Sequence, residues 1–566
     1  MKHLVRKKIE KTLKALKVPP TEGFSVDNPP EKMGDYSSNV ALVYAKVVKL
    51  SPRELAEKIR EKLLTGKDSV FEKIEIAGPG FINFYLGDKA LVKTVEEVLK
   101  KKSKFGGGKG QGAEKVLLEY FQPNIAKTLH LGHLQNAVLG DSLFRILKFA
   151  GYKVESDTHL GDWGTQFGLL LHAYKKYGDE KVIARDPIHE LNKFYIRINE
   201  EMKGDPEVRE AGKREFVKLE RGDKENLKIW KKVTELSWKE FEYVYRELGI
   251  RRADHNWPES FFEDKMPSIV GELGNKGLLA SSQGAKIVDL GDHGLGVAII
   301  IKSDEGTTYL LRDLAAFVFR KSKKFTRQLY VIDSRQKHTL AQTFKILQLL
   351  GHIKSPGEAV HIDYGFTSLP EGAMSSRSGS AIEPKALIDK ARELVEKIIA
   401  QKNPNLKNRS KVAQQVAIGA VKYFYLSHNR RSDIVFRWEE VLNFEGNTGP
   451  YLQYTHARIK SILRKAGKQD SSVKSVDINQ YERSLAVSLL KFEDVVIEAA
   501  ETYFPNALAE YLYSLAGAFN LFYQKVQVLG ESDPGKKKFR VKLVAAVAQV
   551  LSNGLELLGI SAPEEM

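Results

Sequence analysis

Apolar residues recur every three or four positions along most of this chain, and short apolar runs of strand character interrupt them. Leu4, Ile9, Leu13 and Leu16 form the first helical stripe, and Pro52–Leu64 carries the second. Residues 74–86 read as strands around the turn Gly78-Pro79-Gly80. A small N-terminal α/β domain is therefore expected over residues 1–105. Residues 100–112, KKKSKFGGGKGQG, hold glycine and lysine at a density that packs no core, and read as a linker.

Residues 115–121 (KVLLEYF) read as a buried strand, followed by a proline-containing loop. Residues 132–150 have helical spacing at Leu134, Val138, Leu143, Ile146 and Leu147, with Gly151 as the stop. Strand, loop and helix in that order open a doubly wound nucleotide-binding fold. Strand-like and helix-like segments alternate to about residue 390, with a charged helical insertion over about 175–250. Residues 328–333 are a later strand, and residues 339–350 the helix after it. Beyond 385 the pattern is almost wholly helical. The expected fold class is multidomain α/β. It comprises the small N-terminal α/β domain, a doubly wound parallel-sheet (Rossmann-like) catalytic domain over 113–390, a connecting helical segment over 391–445 and an all-α bundle over 446–566. The bundle's Tyr503, Phe504, Tyr511, Tyr513, Phe519, Phe522 and Tyr523 are each expected in its core, with a few at the surface able to stack on unpaired bases.

Composition narrows the function. No cysteine is present among 566 residues, which excludes disulfides, thiolate zinc sites and a cysteine nucleophile. The net charge of +17 favours a polyanionic partner, because basic side chains release counterions from phosphates. No apolar run is long enough to cross a membrane. The basic N-terminus contains Glu10 and no serine before Ser25, so it reads as a first helix rather than a transit peptide. A cytoplasmic protein is expected.

The segment richest in chemistry is residues 119–133, EYFQPNIAKTLHLGH. His130, Gly132 and His133 fall where a strand has ended and a helix begins. Helix N-termini present free N–H groups and partial positive charge, which suit phosphate. Glycine removes a side chain where a nucleotide could come close, and two imidazoles can donate to phosphate oxygens. Alone, H-x-G-H fits nucleotide chemistry of several kinds, including nucleotidyl transfer.

Its surroundings are more specific. PNIAKTLHLGH resembles the first signature of class I aminoacyl-tRNA synthetases in its arginyl-tRNA synthetase form, with Glu119, Pro123, Asn124, Ala126 and Lys127 at matching places. HLGDWGTQFG (159–168), EGNTGPYLQYTHARIKSILRK (445–465) and the tail LELLGISAPEEM resemble the same family, in the same order. The resemblance covers essentially the whole chain. It implies ATP-dependent joining of L-arginine to the 3′ end of tRNA(Arg), with Mg²⁺ as cofactor, no metal held by the protein, and a monomer. The second class I signature is degenerate. AMSSRSG has Ala373 and Ser376 where the general pattern K-M-S-K-S has lysines. Many arginyl enzymes lack the second lysine and carry one before the histidine motif, where Lys127 stands here. The resemblance thus implies a catalytic set of Lys127, His130, Gly132, His133, Ser375, Ser376 and Arg377. Tyr309 and Asp313, four apart and on one face if helical, would hold the guanidinium, since that fork pairs with planar carboxylates. Glu119 and Asn124 would take the main-chain end of arginine, with Gln336 completing the pocket. Phe81 and Asn83 would meet the tRNA D-loop, and the C-terminal bundle the anticodon. An ion pair with Arg312 is the alternative use for Asp313.

Overall fold

In the computed structural model, residues 1–19, 23–30, 33–64, 70–108, 114–370, 383–467 and 477–566 are described. The N-terminal unit contains α1 (Lys2–Ala15), β1 (Val26–Asp27), β2 (Tyr36–Ser38), α2 (Val40–Tyr44), α3 (Pro52–Leu64), β3 (Phe71–Ala77), β4 (Phe81–Leu86) and α4 (Asp88–Lys101). Its strands form an antiparallel sheet in the order β1-β2-β4-β3. The short β1, β2 and α2 escape sequence reading because two to five residues carry too little periodicity.

The central unit begins with β5 (Lys115–Glu119), α5 (Leu131–Phe149) and β6 (Lys153–Asp157). The helical insertion follows as α6 (Thr165–Tyr177), α7 (Glu180–Ile183), α8 (Pro187–Gly204), α9 (Pro206–Glu220) and α10 (Lys224–Leu248), which Gly249 closes in a left-handed cap. Next come α11 (Met266–Asn275), an antiparallel ribbon of β7 (Ala280–Ser282), β8 (Ala285–Leu290) and β9 (Gly296–Ile301), then α12 (Tyr309–Ser322), β10 (Arg327–Asp333), α13 (Lys337–Leu350), β11 (Ala359–Tyr364) and β12 (Thr367–Ser368). Four strands make one parallel sheet in the order β11-β10-β5-β6. From β5 the chain winds outward to β6, then returns to the other side of β5 for β10. The strand order therefore reverses between β5 and β10, and the crevice at their carboxyl ends is where such sheets bind ligands.

The helical remainder is α14 (Pro384–Lys402), α15 (Arg409–Ser427), β13 (Ile434–Val435), α16 (Trp438–Val441), α17 (Gly449–Ala466), α18 (Gln480–Thr502), α19 (Asn506–Lys525) and α20 (Pro534–Leu557). Of the seven aromatics expected in its core, Tyr511, Phe519 and Phe522 are buried there, while Tyr503, Phe504, Tyr513 and Tyr523 are only partly covered. The two-residue β13, which pairs with β12, is its only strand among the described residues. Helix α5 reaches this bundle: Ser142 Oγ donates to the carbonyl of Leu557 at 3.1 Å.

The linker reading needs correction. Phe105 is buried and stacks on Phe492 of α18 at 6.4 Å, and Gly106 lies against the same ring. The first glycines of the run fit a packed junction where no side chain has room. Residues 109–113 lie outside the described residues.

Candidate active site

The H-x-G-H turn forms where β5 gives way to α5. His130 is the N-cap of α5: its Nδ1 accepts from the Gly132 N–H at 3.1 Å, and His133 Nδ1 accepts from the His130 N–H at 3.2 Å. The two imidazoles thus close a reciprocal capping box, a task usually given to a hydroxyl and a carboxylate. Their rings stack 3.9 Å apart, and a β-carbon on Gly132 would sit 3.0 Å from His130 Cε1, so any larger residue would push that ring outward by a few tenths of an ångström. Burial holds both imidazoles below their ordinary pKa, with Arg335 and Lys127 adding to it at His130 and the His130 ring and Lys127 at His133. Both rings are therefore neutral near pH 7. Since each Nδ1 accepts, each proton sits on Nε2, and Nε2–H is left to donate.

Asn124, Lys127, Gly161, Trp163, Gln166, Tyr195 and Tyr309 line one cavity beside this turn. It joins the two stretches that the sequence singled out: the Ile125 N–H donates to the Gly161 carbonyl at 3.1 Å, and the Gly161 N–H to Pro123 at 3.2 Å. The Lys127 ammonium donates to Gln166 Oε1 at 3.3 Å and lies 4.5 Å from the centre of the Tyr195 ring. Phe121 and Ala126 hold positive φ angles of 58° and 61° in the intervening loop, strain of the kind that clusters at working sites.

Of the residues expected to hold arginine, Asn124 and Tyr309 stand on the cavity wall. Asp313 lies one turn further along α12. No hydrogen bond or ion pair joins it to any described residue, so the alternative pairing with Arg312 is not made. Burial, with Glu119 adding to it, pushes its carboxyl up to about 7. Glu119 is buried: Oε2 meets Arg320 at 2.5 Å, and Oε1 accepts from Gln122 at 3.1 Å. Burial works against its charge, but Arg320 and His159 hold the carboxyl below its usual range. Gln336 is exposed in the turn after β10 and makes no hydrogen bond to Glu119, Asn124, Tyr309 or Asp313. Ser375, Ser376 and Arg377 lie outside the described residues. In the N-terminal sheet Phe81 is exposed. Asn83 is buried, its Oδ1 accepting from Ser37 Oγ at 2.7 Å, which leaves little of it for a partner.

Sequence reasoning missed an acidic cluster behind Tyr309. Glu259 is buried, with Oε2 4.0 Å from Arg312 Nε; Glu263 Oε1 is 3.6 Å from the same nitrogen. None of these three atoms has a hydrogen-bond partner among the described residues. Burial pushes Glu259 up to about 8, partly offset by Arg312 and reinforced by Asp313; burial likewise pushes Glu263 to about 7 and Asp162 to about 6. Arg320, buried on α12, also meets Asp157 at 2.6 Å. Glu119, Asp157 and His159 would offer a metal-like trio within 4.8 Å, but Arg320 already compensates the two carboxylates. The available signal was three charges, Arg312, Asp313 and Arg320, inside the apolar run YLLRDLAAFVFR.

A parallel sheet with a histidine turn at its switch point and a helical domain beyond it is the arrangement of class I aminoacyl-tRNA synthetases. The family model for the class I (R) tRNA synthetase catalytic domain matches residues 94–438, that for the arginyl tRNA synthetase N-terminal domain 3–86, and that for the DALR anticodon binding domain 452–566. The arginine–tRNA ligase of Clostridium botulinum (strain Langeland) is 41% identical over 545 residues, 96% of each chain, and that of Lactococcus lactis is 42% identical over 93% of each. The solved arginyl-tRNA synthetase of Thermus thermophilus superposes with a TM-score of 0.84 at 28% identity, all of each chain being covered. The chain belongs to the arginyl-tRNA synthetase family, and its activity is the ATP-dependent ligation of arginine to tRNA.

Proposed function

We propose that the cavity and the acidic cluster behind it form the arginine pocket, and that the adjoining H-x-G-H turn binds ATP. The observation that carries this reading is the charge balance. Among the described residues, the full positive charges beside Glu119, Asp157, Asp162, Glu259, Glu263 and Asp313 are the guanidiniums of Arg312 and Arg320. A buried excess of carboxylate is satisfied by a cation that brings several hydrogen bonds, as the arginine side chain does. Asp313 and Glu259 take the guanidinium, Tyr309 covers it, and Asn124 holds the main-chain end. Glu119 acts from behind, through Arg320.

The arginine carboxylate then attacks the α-phosphorus of ATP, expelling pyrophosphate, and a terminal ribose hydroxyl of tRNA(Arg) displaces AMP from the adenylate. His130 and His133 donate from Nε2, and Lys127 faces the phosphates as negative charge builds; the family resemblance gives Ser375, Ser376 and Arg377 a part in the same step. Donors and cations of this kind fit phosphate oxygens and not Mg²⁺, so the metal would arrive on the nucleotide. Phe81 lies in the N-terminal unit read as meeting the D-loop, and the C-terminal bundle reads the anticodon. The enzyme works as a monomer in the cytoplasm; no helix among the described residues is long and apolar enough to cross a membrane.

The test is transfer of labelled arginine, beside lysine and glutamine, to total tRNA with ATP and Mg²⁺. Charging with arginine alone is expected, and Asp313→Ala should raise KM for arginine by about a hundredfold, the cost of losing a charged hydrogen-bond partner. Unchanged KM in that variant would remove Asp313 from the pocket.

A further inference from the structure

The helical insertion brings two side chains to the ammonium assigned to the phosphates, Gln166 of α6 and Tyr195 of α8. We propose that Tyr195 of α8 is a positioning residue for Lys127, its ring face holding the ammonium at the cavity mouth so that ATP meets a cation already in place. The proposal rests on the reading of Lys127 as a phosphate-facing group.

The geometry is that of a cation–π contact: Lys127 Nζ is 4.5 Å from the Tyr195 ring centre, inside the range of about 6 Å where the ring's quadrupole attracts a cation. Gln166 Oε1, at 3.3 Å, holds the same ammonium. An amide oxygen and an aromatic face are both neutral, so they orient the ammonium without cancelling the charge that the phosphates need. Tyr195, Gln166, Lys127 and Tyr309 line the same cavity, which puts this contact in the cavity assigned to arginine. The helix that carries the ring is anchored on its other face. Leu191, Phe194 and Ile198 of α8 are buried, Phe194 packs edge-on against Tyr174 of α6, and the Tyr195 carbonyl accepts from Asn199 Nδ2 at 2.6 Å. A lysine otherwise surrenders its rotamer freedom when it engages a ligand. Ordering it beforehand moves that cost out of the chemical step.

The experiment measures ATP–pyrophosphate exchange with tRNA present, and tRNA charging, in the full-length enzyme. Position 195 carries Tyr195→Phe, then phenylalanines with one, two and three ring fluorines, which drain the ring face of negative charge at nearly constant shape. Tyr195→Phe should keep most of kcat. Each added fluorine should then lower kcat by a similar factor, roughly three- to tenfold across the series, with KM for arginine and the thermal midpoint unmoved. On the residual rate of Lys127→Met the series should be flat. A flat series with Lys127 present, an equal slope in Lys127→Met, or losses that track a falling thermal midpoint would make the ring a mere wall and overturn the proposal. If Lys127→Met alone keeps the normal rate, the reading of Lys127 has failed and that of Tyr195 falls with it.

Discussion

At the scale of single residues, protonation governs this site. Asp313 and Glu263 sit near pKa 7 and Glu259 near 8, in each case chiefly because burial penalises the charged form. In the folded, ligand-free protein these groups keep protons that the unfolded chain releases above its ordinary carboxylate range. Their contribution to stability is therefore full near pH 4 and is lost as pH rises through 7 to 8. An arriving guanidinium favours the ionised forms, so binding should expel protons. Arginine affinity is expected to rise from pH 6.5 to 8, by roughly fourfold from Asp313 alone, with Glu259 adding to it. Calorimetry in buffers of different ionisation enthalpy reads the released protons directly. Binding that is flat with pH and releases none would show that the carboxylates are already charged.

At the scale of elements, helix α12 carries the pocket and Arg320 fixes where it lies. Its guanidinium joins the carboxyl ends of β5 and β6 through Glu119 and Asp157, so Tyr309 and Asp313 are set relative to the sheet by one buried cation. Replacing it with an apolar side chain would strand two buried carboxylates. Arg320→Met is expected to cost about 3–5 kcal/mol of unfolding free energy, read from the urea midpoint. A variant as stable as the parent would mean that water or a neighbour compensates those carboxylates. Helix α5 shows a different economy: the side chains that cap it are those proposed to bind ATP, so on that reading the local fold and the chemistry depend on the same two imidazoles.

At the scale of the molecule, the N-terminal unit docks on the C-terminal bundle. Arg483 of α18 bonds Asp35 at 2.7 Å and the carbonyl of Leu86 at 2.8 Å, beside the Phe105–Phe492 stack. Gly106 takes a φ of +84°, and a β-carbon there would come 2.3 Å from Phe492 Cδ1. Gly106→Ala should therefore lower stability by about 1–3 kcal/mol, through both backbone strain and overpacking. A thermal melt checks this, and a neutral result would return the segment to the status of a loose tether. The junction links two units assigned to tRNA, which gives a reason for it to be rigid.

How much of this was legible depends on the range of the interactions involved. Helices such as Pro52–Leu64 and strands such as Lys115–Glu119 follow from apolar periodicity, which the chain carries locally. The histidine turn follows from a glycine and two imidazoles within four residues, and the family resemblance from stretches spread along the chain. Other features join residues far apart in sequence. Glu259 becomes part of the pocket, and Arg320 a clamp between strand ends 163 and 201 positions away, only when the sheet forms. Lys127 meets Tyr195 only because the insertion folds back. Phe81 and Asn83 stand two apart on β4 and so share one face of the sheet; Asn83 is buried where β2 pairs beside it through Ser37, whereas Phe81, at the first position of the strand and beyond that pairing, is exposed. The sequence by itself determined the elements, the turn and the family. Tertiary structure decided which charges meet, because burial and pairing are properties of the assembled core and not of any segment within it.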